Sequence, residues 1–155
     1  MARDPLFTTI EPYLSRLNAL DRTISREMDR WGPPILRLAV AIVFIWFGAL
    51  KVLDISPAAE LVAATVYLIP ADLFIPILGV WEMLIGVSLL YRPFIRMGIL
   101  LLFFQLPGTF LPLVLFPEVV FTEYPWALTV EGQYIVKNLV IIGAALVIGG
   151  TVRES

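Results

Sequence analysis

LFIPILGVWEMLIGVSLLY, residues 73–91, decides the fold. It carries a single charged side chain, Glu82, and its length matches the roughly 20 apolar residues a helix needs to cross a hydrocarbon core about 30 Å thick. Three further stretches read the same way. The first is 34–50, reaching residue 53 if Lys51 snorkels; another is 97–116, broken by Pro107 and Pro112; the last is 134–152, with Lys137 near its start. Inside lipid a backbone must satisfy its own hydrogen bonds, so these segments are helices rather than strands. The sequence predicts an all-α integral membrane four-helix bundle.

Composition agrees. Of 155 residues, 59% are hydrophobic and 15% charged, and the mean hydropathy is +0.89. Soluble domains carry about 25% charged residues. The length allows one compact unit. Cysteine and histidine are both absent, which excludes disulfides, Cys/His zinc sites, iron–sulfur ligation, covalent haem, thiol catalysis and a histidine base. Polar chemistry falls to carboxylates, Lys, Arg, amides and hydroxyls, and no metal site is expected. There is no phosphate-binding glycine loop and no nucleophile elbow. A net charge of −2 without a basic face argues against nucleic acid as a partner.

The chain divides at residue 32. In 1–32, Leu14, Leu17, Leu20, Ile24, Met28 and Trp31 recur at helical steps with Arg16, Arg22, Arg26 and Asp29 mostly between them. This reads as an amphipathic interfacial helix with Trp31 at headgroup level. Charge fills the stretch where the apolar core of a cleavable signal peptide would sit. Residues 33–155 form the bundle. Between its first two spans, Ser56 as N-cap and Pro57 at the first helical position start a short non-spanning helix that ends at Pro70.

Charge fixes the expected orientation. With the N-terminus cytoplasmic, all nine arginines (3, 16, 22, 26, 30, 37, 92, 96 and 153) fall inside. Both lysines fall outside, with Asp54, Glu60, Asp72, Glu118, Glu123 and Glu131. This positive-inside pattern places both termini in the cytoplasm, in a bacterial inner membrane. Trp31 and Tyr91 mark the inner boundary; Tyr67, Tyr124, Trp126 and Tyr134 mark the outer one. Arg37 snorkels to the inner headgroups.

Glu82 lies nine residues into its span, about 13 Å deep. An ionisable group at that depth must be paired, solvated or protonated, and is a functional candidate by default. Gly79 and Gly86 share its face and admit a close neighbour. Gln105 sits at similar depth with Thr109 and Pro112 on one face. Pro107 and Pro112 free the carbonyls of Phe103 and Gly108 and kink the outer half of that helix. Lys137 and Asn138 enter one turn below the outer surface, and Asn138, Ala145 and Gly149 form a face for tight packing. Two readings stand for each polar residue. Lys51 snorkels beside Asp54 or joins the buried group; Lys137 is a counter-charge for Glu82 or a ligand contact; Gln105 and Asn138 are interhelical glue or ligand contacts. Trp46 and Trp81 read as lipid-facing or packing aromatics, with a stacking platform for a ring as the second reading.

RLAVAIVFIWFGALKVL (37–53), LGVWEMLIGVSLLY (78–91) and EGQYIVKNLVIIGAAL (131–146) together resemble the DoxX-like membrane proteins, the last segment especially their YkgB-like branch. The likeness covers about residues 34–150. It implies a four-helix membrane bundle, recurring polar positions at Lys51, Glu82 and Lys137, and an association with a thiosulfate:quinone oxidoreductase and other redox-linked membrane complexes. The cysteine-using branch of that group does not apply. The reading that follows is a redox-associated subunit holding a lipophilic ligand such as quinone in its outer half. In it Glu82 is the catalytic proton-carrying residue, and Lys51, Gln105, Thr109, Lys137 and Asn138 are ligand contacts. Its expected partners are the lipid bilayer, other subunits of a redox complex and further copies of the chain. The alternatives are a non-catalytic accessory subunit of a respiratory or photosynthetic complex and, below it, a proton-coupled carrier.

Overall fold

The computed structural model describes residues 5–65 and 69–153, with side chains described for residues 16–65 and 69–152. Arg3 and Tyr67, used in the charge and aromatic readings, lie outside the described residues, as does the side chain of Leu14. Four helical segments are long and apolar enough to cross a membrane: Arg16–Val52, Ala71–Leu90, Arg92–Leu115 and Val130–Gly150. The chain is an integral membrane protein built as an all-α four-helix bundle.

Helix α1 runs Pro5–Val52 and continues through Gly32-Pro33-Pro34. The two prolines bring no amide donors to the carbonyls of Asp29 and Arg30, a loss the helix tolerates here. The chain falls into two compact units, Met1–Ile35 and Leu36–Ser155. In the first, Leu17, Leu20, Ile24, Met28 and Trp31 are all exposed, so the amphipathic stripe has no protein cover within its own unit.

In the second unit, Val52 ends α1 and Asp54 takes a positive φ of 58° in the turn that follows. Helix α2 spans Ala59–Thr65. It starts two residues later than the Ser56-Pro57 signal implies. The Ala59 amide donates to the Ser56 carbonyl at 3.1 Å, closing a turn over Pro57 and Ala58 before the helix proper. Helix α3 is Ala71–Leu90, its first turn closed by the amides of Leu73 and Phe74 on the Pro70 carbonyl. A 3₁₀ turn, Arg92–Phe94, leads into α4, Ile95–Phe110.

Proline then punctuates the chain. Helix α4 stops at Leu111, and the short helices α5 (Pro112–Leu115) and α6 (Pro117–Val120) each open on a proline. That is the helical position where a missing amide costs least. The Gly108 carbonyl deprived of its Pro112 partner is taken by the Leu111 amide at 3.4 Å. The expected disruption of the third span is therefore an interruption with a tightened turn. Strands β1 (Phe121–Glu123) and β2 (Ala127–Leu128) pair antiparallel, Phe121 opposite Leu128, around a cis Tyr124-Pro125 bond. Thr129 caps α7, Val130–Val136, accepting from the Gly132 amide at 3.1 Å. Helix α8, Asn138–Gly150, completes the fourth span after a break at Lys137.

The core lies toward the α3–α4 turn. Ala41, Ile85, Leu89, Leu102, Ala145 and Ile148 are essentially closed off and interlock across α1, α3, α4 and α8. Apolar side chains such as Ile42, Val80, Leu84 and Leu146 point outward and present the face a bilayer solvates. Toward the β-hairpin end the helices part, and the space between them is the candidate site.

Candidate functional site

The site begins with two glycines. A Cβ placed on Gly79 would lie 2.6 Å from the Gly48 carbonyl and 2.9 Å from Lys51 Cβ; one on Gly48 would strike the Gly79 carbonyl. Only hydrogen side chains let α1 and α3 come this close. Gly86 repeats the device one crossing further on, against the Ala41 carbonyl. Lys51 stands three residues after Gly48 and Glu82 three after Gly79, so the contact sets the two charged residues facing each other.

Lys51 Nζ donates to Glu82 Oε2 at 2.7 Å, with the residues only 5% and 7% exposed. From α4, Gln105 Nε2 donates to the other carboxylate oxygen, Oε1, at 2.8 Å. Both oxygens of the carboxylate are thus held, one by a charge-assisted bond, the stronger kind. A carboxylate or ammonium alone at this depth would cost several kcal/mol; joined and hydrogen-bonded, they enter as a neutral unit. The amide of Gln105 is oriented by its own bond, which turns Oε1 away from Glu82. That Oε1 is buried and, among the described residues, has no hydrogen-bond partner.

Three expectations do not hold. Lys51 does not snorkel beside Asp54: it is buried and bound to Glu82. Nor is Lys137 the counter-charge of Glu82, because Lys51 fills that role at contact distance. Lys137 Nζ instead lies 3.2 Å from the centroid of the Tyr134 ring and 5.1 Å from that of Phe47, and the two rings are stacked at 6.0 Å. Asn138 is not interhelical glue either. Its Nδ2 donates to the carbonyls of Ile135 at 2.9 Å and Tyr134 at 3.3 Å, bonds that close the break between α7 and α8. Gln105 does bridge two helices, through Glu82. Thr109 Oγ1 donates one turn back to the Gln105 carbonyl at 3.3 Å.

These groups border one cavity of about 850 Å³. That is within the range of about 300–1,000 Å³ typical of small-molecule sites. Its walls are chiefly apolar, with Phe44, Phe74, Leu78 and Ile141 among them, and α2 contributes Leu61 and Val62. The six residues singled out from the sequence, Lys51, Glu82, Gln105, Thr109, Lys137 and Asn138, all line it. Pro112 and Gly108, set by the interruption of the third span, line it too. The sequence reading missed Phe47 and Tyr134. The signal was present, since Phe47 lies four residues before Lys51 and Tyr134 three before Lys137, on the same helical faces. Trp81 packs partly buried and donates from Nε1 to the Leu101 carbonyl at 3.2 Å, while Trp46 is 63% exposed and faces outward.

Chemically the arrangement offers an apolar chamber for a ring or chain, bordered by a fixed carboxylate and two ammonium groups. Among the described residues no group of three or more His, Cys, Asp or Glu is placed to hold a metal ion. The chain matches no protein-family model, no curated protein and no solved structure.

Proposed function

We propose that this is a DoxX-like, redox-associated membrane subunit that admits a quinone-type lipophile into the cavity between its helices. The observation that supports the reading is the composition of that cavity: about 850 Å³ of chiefly apolar space ending on Lys51, Glu82, Gln105 and Lys137. A quinone ring with a short stretch of isoprenoid tail matches such a chamber, and Lys51 and Lys137 are donors of the kind its carbonyl oxygens accept. Glu82, fixed at the wall by two hydrogen bonds, is the group through which a proton reaches or leaves the ring oxygen. Electrons come from a partner subunit, since the chain holds no Cys or His to bind a redox centre. The placement of arginines and lysines supports a cytoplasmic N- and C-terminus in a bacterial inner membrane.

The test uses Trp81, which lines the cavity. Trp31, Trp46 and Trp126 are exposed and are replaced by Phe, leaving Trp81 as the reporter among the four tryptophans. In nanodiscs, a short-chain ubiquinone is expected to quench Trp81 saturably. Gly108 lines the cavity and a Cβ there meets nothing within 4 Å, so Gly108→Phe fills the space and weakens binding by about tenfold or more. Unsaturable quenching, equal in both proteins, would defeat the quinone reading.

A further inference from the structure

We infer that the cavity is selective for a lipophile with an anionic head, and that Lys137 is the residue that selects it. The inference rests on the cavity being a ligand site and narrows the class of occupant. Two ammonium groups and one carboxylate border the space. Glu82 is committed: Lys51 holds Oε2 at 2.7 Å and Gln105 holds Oε1 at 2.8 Å. Among the described residues lining the space, Lys137 is left as the excess positive charge. Its ammonium has three N–H donors, and what lies against it is the π-face of Tyr134 at 3.2 Å and of Phe47 at 5.1 Å. Ring faces attract a cation but accept none of its hydrogen bonds as an oxygen does.

Placement adds to this. Lys137 sits at the break between α7 and α8 and is exposed along the cavity wall, so an entering head reaches it without displacing any side chain from a hydrogen bond. A charge in a low-dielectric setting binds its opposite more strongly than in water. A neutral carbonyl satisfies one N–H of Lys137 and leaves the charge; an anionic oxygen removes both deficits. The matched occupant is an amphiphilic acid: an acidic hydroxyquinone, a lipophilic carboxylate, or a phospholipid that reaches in with its phosphate.

The experiment compares two probes of one ring system, a 3-alkyl-2-hydroxy-1,4-naphthoquinone, ionised at neutral pH, and its 2-methoxy analogue, which stays neutral. Each is titrated against the Trp81 reporter in zwitterionic nanodiscs. The hydroxy compound is expected to bind about tenfold tighter, the margin of a charge-assisted over a neutral hydrogen bond. In Lys137→Gln, which keeps a donor and removes the charge, the ratio falls to about twofold or less. Equal affinities in the wild-type protein, or a preference that survives Lys137→Gln, overturn the inference while leaving a quinone site intact. Saturable binding of neither probe removes the ligand-site reading beneath it. Repeating the titration with phosphatidylglycerol in the disc separates the sources of the anion. Competition identifies a phospholipid phosphate at Lys137, and its absence identifies a free lipophilic acid; both sustain the anionic head.

Discussion

Glu82→Ala is expected to destabilise the bundle by about 3–5 kcal/mol, the cost of stranding a buried charge by removing its partner. Lys51 is 5% exposed, and Glu82 is the carboxylate within its reach. The substitution also takes the acceptor from Gln105 Nε2. The loss therefore comprises a buried cation without a counter-ion and a buried amide without a partner. Lys51→Ala should cost a similar amount for the mirrored reason. Removing both charges together, as Lys51→Met with Glu82→Met, should cost far less than the sum, because an apolar pair of similar volume leaves nothing stranded. Reversible unfolding of the reconstituted bundle measures all three. A Glu82→Ala cost no larger than that of Glu118→Ala, an acid outside the bundle core, would show that the pair carries no structural load.

The second large effect concerns the helix contact beneath that pair. Gly79→Leu puts a side chain where even a Cβ would approach the Gly48 carbonyl to 2.6 Å. Overpacking in cores costs typically about 1–3 kcal/mol, and here the obstacles are backbone and the Lys51 stem, so a cost at or above the upper end is expected. Separation of α1 from α3 also pulls Lys51 from Glu82, which adds the first penalty to the second. Gly143→Leu is the matched control, since a Cβ there meets nothing within 4 Å. It should be neutral or stabilising by up to about 1 kcal/mol through relief of the glycine helix penalty. Equal effects at positions 79 and 143 would contradict the close crossing.

The four spans were legible because continuous apolar runs of membrane-crossing length admit one reading. The depth of Glu82 and Gln105 was legible for the same reason, since rise per residue converts sequence position into depth. Which helix faces which was not. Periodicity gives a residue's direction around its own axis and says nothing of the neighbour's, so Lys137 and Lys51 were both open as partners for Glu82. The glycines resolve the choice in retrospect: Gly48 and Lys51 repeat the three-residue spacing of Gly79 and Glu82. The start of the fourth span at Val130 rather than Tyr134 follows from Thr129, whose hydroxyl caps Gly132 across three residues. The β1–β2 hairpin was not anticipated; its strands are two or three residues long, too short for alternation to register.

We propose that the space between α1, α3, α4 and α7–α8 holds a ligand. Native mass spectrometry on gently extracted protein tests it most directly, comparing the wild type with Gly108→Phe. The wild type should retain a lipophilic molecule of defined mass, and the variant, equally stable, should be released bare. A bare wild-type protein, or the same adduct on both, would contradict the claim.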